Sequence, residues 1–225
     1  MDLKKTVQRL TLGTDREVPM PEDWAGRAWY CLRYHYFLLF CMNLLFLVSC
    51  LPLVTIPASC TALSAVTAGL TRGKPVAAWR MYWQEWKQDF GKRLVLWLLM
   101  CLVPLSAGFY AQLLGLEQQG TGTRLLALAL VFLVQQYWYP CMALIRVSPW
   151  QNLKNAVILA ALARKKSICL LLTVGILYAA CLLFPLYSFP IMVLCLFSLG
   201  SVLTSALVAP EVLAYLGRGP EQRKE

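Results

Sequence analysis

Four stretches without a single Asp, Glu, Lys or Arg constrain this chain most: Tyr34 to Thr71, Leu94 to Leu116, Leu125 to Ile145 and Ser167 to Pro210, which are 38, 23, 21 and 44 residues long. About 20 apolar residues, rising 1.5 Å each, cross a hydrocarbon core about 30 Å thick. Each middle stretch is therefore one crossing. The first and last would reach roughly 57 and 66 Å as helices, so each has room for two. Proline pairs mark where they fold back: Pro52 and Pro57 bracket Leu53-Val54-Thr55-Ile56, and Pro185 and Pro190 bracket Leu186-Tyr187-Ser188-Phe189. Proline has no amide hydrogen to donate and disfavours helix in the residue before it. The expected fold is all-α, a polytopic membrane bundle of about six transmembrane helices. The alternative makes each proline pair a re-entrant kink and leaves four crossings, again with both termini on one side.

Composition supports a membrane setting. Hydrophobic residues make up 59% and charged residues 14%, where a soluble chain carries about 25% charged residues. The net charge of +10 is unevenly placed: six Lys and Arg fall in 1–33, six in 72–93, five in 146–166 and three after Pro210, against one in 115–124 and none in 186–190. Lys and Arg in short flanking segments stay on the cytoplasmic side. This predicts a cytoplasmic segment 1–33, a single transmembrane domain 34–210 and a cytoplasmic tail 211–225 in the plasma membrane. No apolar stretch precedes Arg33, so no cleaved signal peptide is expected.

Two basic segments read as more than loops. Trp79, Tyr82, Trp83, Trp86 and Phe90 recur at helical spacing, with Arg80, Gln84, Lys87 and Gln88 largely on the other side. Further on, Ser148 is an N-cap residue and Pro149 a first-turn proline, Trp150, Leu153, Val157 and Ala160 form a stripe, and Arg164, Lys165 and Lys166 close the segment. Both suit cytoplasmic interfacial amphipathic helices, with indoles at headgroup level and cations toward anionic lipid. Their similar order suggests an internal repeat, although any even-numbered bundle with interfacial helices looks alike.

The chemistry on offer is sparse. Ionisable groups at bilayer depth usually mark transporters and intramembrane enzymes, and the four stretches have no carboxylate or amine. The one imidazole, His35, sits beside Arg33 at the edge of the first stretch and reads as an interface anchor. Nine Cys without a C-x-x-C pair give no zinc site and read as small packing residues. No catalytic residue, metal, cofactor or nucleic-acid partner is expected. Polar uncharged residues remain, and Asn43, Gln135 and Gln136 admit two readings: interhelical hydrogen bonds, or the lining of a cavity for a sugar or similar neutral solute. Small residues from Ala58 to Gly69 let another helix approach closely, either within the chain or in a homo-oligomer.

Asn43-Leu44-Leu45-Phe46, Leu51-Pro52-Leu53-Val54-Thr55-Ile56-Pro57-Ala58, Thr61-Ala62-Leu63 and Trp83-Gln84-Glu85-Trp86-Lys87-Gln88-Asp89-Phe90 together resemble the YesL family, a domain of unknown function. The likeness covers about residues 25–95 and places Asn43, Pro52, Thr55, Pro57 and Thr61 in its motif. Ile56-Pro57 departs from the Gly usual in the family's turn, and Asp89 stands where Asn is usual. The resemblance implies a bacterial multi-helix membrane protein, often encoded beside carbohydrate ABC transporter components, and brings no catalytic residues. Three functions follow as expectations: a non-enzymatic accessory of carbohydrate uptake that contacts an ABC permease; a facilitator for a neutral solute; and, least favoured, an enzyme pairing His35 with a Cys or Ser.

Overall fold

A computed structural model describes residues 20–113, 117–183 and 195–217. The turn at 185–190, most of the segment 1–33 and the chain from 218 onward lie outside the described residues. Every regular element among those described is helical: α1 (Trp24–Tyr34), α2 (Tyr36–Ser49), a 3-10 turn (Leu53–Thr55), α3 (Ile56–Leu70), α4 (Ala78–Lys87), α5 (Phe90–Leu113), α6 (Glu117–Leu144), α7 (Pro149–Leu162), α8 (Arg164–Leu183) and α9 (Phe197–Gly217). Helix α1 falls in a stretch for which the sequence reading named no element, and it meets α2 at His35 with a bend of 88°.

Three stretches among the described residues are long and apolar enough to cross a membrane: Leu53–Leu70, Thr121–Leu144 and Phe197–Tyr215. A fourth is added if α1 and α2 form one broken span. Helices α2 and α3 of the expected hairpin have 14 and 15 residues, about 21 and 22 Å, and α3 reaches the 18 residues of the Leu53–Leu70 span only with its leading 3-10 turn. Helices α5 and α8, of 24 and 20 residues, reach about 36 and 30 Å.

Internal prolines do not end the long helices. Pro104, Pro140 and Pro210 lie inside α5, α6 and α9, as membrane helices allow when neighbours re-satisfy the freed carbonyls. Helix α9 thus runs past the expected boundary at Pro210 to Gly217.

Two apolar clusters share α9 as their seam. Val202 and Ala206 join the cluster formed with α1–α4, while Leu207, Val208 and Val212 join the one formed with α5–α8. The small residues of α3 are spent inside the molecule: every residue from Thr61 to Leu70 is buried, and Thr67 Oγ1 lies 2.8 Å from Ser201 Oγ and 2.9 Å from Ser205 Oγ. By contrast, Val95, Leu98, Leu99, Leu102 and Val103 on α5 and Ile168, Leu172 and Ile176 on α8 are exposed. Rows of apolar side chains this long belong against lipid.

The two amphipathic segments use their faces differently. On α4, Tyr82 is fully buried, Trp83 and Trp86 pack against the first cluster, and Trp79 is exposed. Most of that aromatic stripe therefore faces α3 and not headgroups, because the chain turns back at Thr71–Ala77 and lays α4 along its neighbour. On α7 the buried row is Pro149, Asn152, Ala156 and Leu159, offset from the expected stripe, which leaves Trp150 and Val157 exposed. A break at Ala163 ends α7 after Leu162. Arg164, Lys165 and Lys166 therefore open α8 and do not close α7, and Lys166 pairs with Glu211 on α9.

Candidate functional site

The family-motif residues build a joint. Asn43 on α2 is fully buried, and its Oδ1 accepts the backbone N–H of Phe197 at 3.1 Å and of Ser198 at 3.0 Å. These amides open α9, where a helix leaves N–H groups without an intrahelical acceptor. Pro52 adopts an extended conformation ahead of the 3-10 turn. Thr55 Oγ1 donates to the Ser49 and Pro52 carbonyls, Pro57 occupies the first turn of α3, and Thr61 Oγ1 donates to the Pro57 carbonyl at 2.8 Å. Leu51, Leu53 and Val54 stay exposed at the tip.

Helix α4 seals this joint. Tyr82 Oη lies 2.5 Å from Ser49 Oγ, Ser49 Oγ donates to Ser59 Oγ at 2.9 Å, and Trp86 Nε1 donates to Ser59 Oγ at 3.2 Å. Burial pushes the Tyr82 phenol up to about 12, which keeps it neutral in that network. Trp86 also meets Phe90, the first residue of α5, at 5.7 Å between ring centroids. One turn on, Arg93 is 1% exposed; its Nη1 donates to the Glu85 carbonyl at 2.7 Å and its Nη2 lies 3.5 Å from Glu85 Oε2. Arg146, just after α6, reaches the other Glu85 oxygen at 3.9 Å from a fully solvated position. Lys87 and Lys92 remain exposed beside this pair. The Pro52–Pro57 turn, α4 and the start of α5 therefore lie together, not on opposite sides of a span.

A cavity of about 270 Å³ lies between α3, α6 and α9. Gln135 and Gln136 line it, together with Ser64, Ser201 and Thr204, and Trp97, Phe132, Tyr178 and Phe197 supply aromatic walls. Asn43 is not among its lining residues, because its carbonyl oxygen is engaged by α9. Gln136 Oε1 accepts from Thr204 Oγ1 at 2.8 Å. A larger cleft of about 820 Å³ between α5 and α6 shares Trp97, Phe132 and Gln135 with the cavity and has Arg124 in its lining. No cluster of His, Cys, Asp and Glu among the described residues has the grouping of a metal site.

The motif joint is also where the chain matches known sequences. The profile of the family described as Protein of unknown function, DUF624, matches residues 39–107. Residues 39–107 are similar to that family over less than half of the chain. No curated protein and no solved structure matches the chain. The matched segment runs from α2 into α5 and so contains Asn43, the proline turn, α3, α4 and the Glu85–Arg93 pair. Gln135 and Gln136 lie outside it. Sequence reading missed the Glu85–Arg93 pair because both residues looked like solvated charges of a cytoplasmic loop. Their spacing of eight also spans the α4–α5 junction, so no single helical face signals it.

Proposed function

We propose that this is a multi-pass protein of the bacterial plasma membrane, both termini cytoplasmic, that serves as a non-catalytic accessory of carbohydrate uptake and packs against an ABC permease. The observation that carries this reading is the outer face of α7. Trp150, Val157, Ile158 and Leu162 are exposed there, Lys154 Nζ stands 5.7 Å from the centre of the Trp150 ring, and Arg164 and Lys165 follow exposed at the start of α8. An apolar and aromatic face edged by cations fits contact with a partner at a membrane surface carrying anionic lipid. The test is purification of the tagged chain from native membranes with lysine crosslinking and mass spectrometry. Stoichiometric recovery of a permease crosslinked through Lys87, Lys92 or Lys154 supports the role; a chain that crosslinks only to itself argues against it.

The contact between Trp86 and Ser59 favours the re-entrant reading of the first proline pair over two complete crossings. A turn on the far side would stand about 30 Å from segment 72–93. Here Ser49 and Ser59, which flank the turn, hydrogen-bond to Tyr82 and Trp86.

A second reading, a facilitator for a neutral solute, draws on the uncharged cavity lined by Gln135 and Gln136. Proteoliposomes that take up no labelled sugar would remove it.

A further inference from the structure

We infer that the cavity between α3, α6 and α9 is a binding site for a neutral, hydroxyl-bearing solute, a small polyol or monosaccharide, admitted through the α5–α6 cleft and recognised by Gln135. The site rests on and deepens the facilitator reading, although binding by itself requires no transport.

Unspent hydrogen-bonding capacity is the first argument. Among the described residues the Gln135 side chain makes no hydrogen bond, nor does the Ser64 hydroxyl, and both line the cavity. Gln136 gives its oxygen to Thr204 and keeps two N–H donors. Polar groups in an apolar interior cost free energy unless something pairs with them. Three converging side chains with open valences, two amides and a hydroxyl, therefore call for a hydrogen-bonding occupant.

Charge and shape narrow its class. The lining holds no charged side chain, so an ionic solute would arrive without compensation at a depth where that is expensive. Aromatic walls with a few placed polar groups are the usual composition of a small-molecule site; here Trp97, Phe132 and Tyr178 offer flat apolar faces to the C–H side of a polyol. The volume of about 270 Å³ equals about nine water molecules, enough for one small solute. The two spaces adjoin: Gln135, Trp97 and Phe132 belong to the cavity and to the larger cleft at once, which places Gln135 at their junction.

The test is equilibrium binding to the purified full chain in nanodiscs, with tritiated glycerol, xylose, glucose and galactose as probes and glucuronate as the charged control. The expected result is saturable binding of at least one neutral probe and none of glucuronate. Gln135→Leu should weaken that binding about tenfold, since a site built to bond a hydroxyl loses strongly when its partner is removed, and Ser64→Ala should weaken it about threefold with the fold intact by thermal melt. Absence of saturable binding for all four neutral probes overturns the proposal, as does equal binding of glucuronate or binding unchanged in both variants. Loss of liposome uptake with binding retained would remove the facilitator reading and leave the site standing.

Discussion

Asn43 on α2 and Ser198 on α9 are joined by a 3.0 Å hydrogen bond across 155 positions of sequence. Through it the segment 39–107 fastens the seam helix that both apolar clusters share. Asn43→Leu removes the acceptor from one buried and one partly buried amide while keeping a similar volume. The expected loss is about 1–3 kcal/mol, read as a lower melting temperature in detergent, and an unchanged melt would show that the bonds contribute nothing.

The carboxylate of Glu85 serves two cations in different settings. Arg93 is buried and Arg146 is exposed, so removing each contact should cost very different amounts. Glu85→Gln strands the Arg93 charge and should destabilise by about 3–5 kcal/mol, whereas Arg146→Ala should cost less than about 1 kcal/mol. The double variant Glu85→Gln with Arg93→Met should recover part of the loss. Equal melting of the two single variants would contradict this.

A Cβ built on Gly69 would lie 2.6 Å from Val76 Cγ2, at the place where the chain leaves α3 and doubles back toward α4. Gly69→Ala should cost about 1–3 kcal/mol through overpacking, and Val76→Ala added to it should relieve most of that. A Gly69→Ala protein as stable as the parent would mean that this turn has more room than its contacts indicate.

Much of the architecture was legible because burial in lipid writes itself into composition. The uncharged stretches anticipate α5, α6, α8 and α9, and Ser148-Pro149 anticipates the start of α7. Orientation within the bundle was less legible. The spacing of Tyr82, Trp83 and Trp86 defines a helix face but not whether lipid or α3 covers it. Only the turn at Thr71–Ala77 settles that, and turn direction is a tertiary property. Likewise the break at Ala163 carries no Gly or Pro, so the basic triad looked like a helix end when it is a helix start. Of the candidate site, Gln135 and Gln136 were found as polar residues at depth. Asn43 was read as either an interhelical hydrogen-bonding group or a cavity residue, because its type was legible but its partner, 155 positions away, was not.

The account turns on the Pro52–Pro57 turn lying at the same end of the molecule as the start of α5. Leu53→Cys and Lys92→Cys, both at exposed positions, can each be compared with the parent chain for reaction with a membrane-impermeant maleimide in intact and permeabilised cells. The predicted result is that neither added cysteine reacts in intact cells and that Lys92→Cys reacts only after permeabilisation. Reaction of Leu53→Cys in intact cells, with Lys92→Cys still protected, would place the turn across the membrane from α5 and contradict the arrangement of α2, α3 and α4.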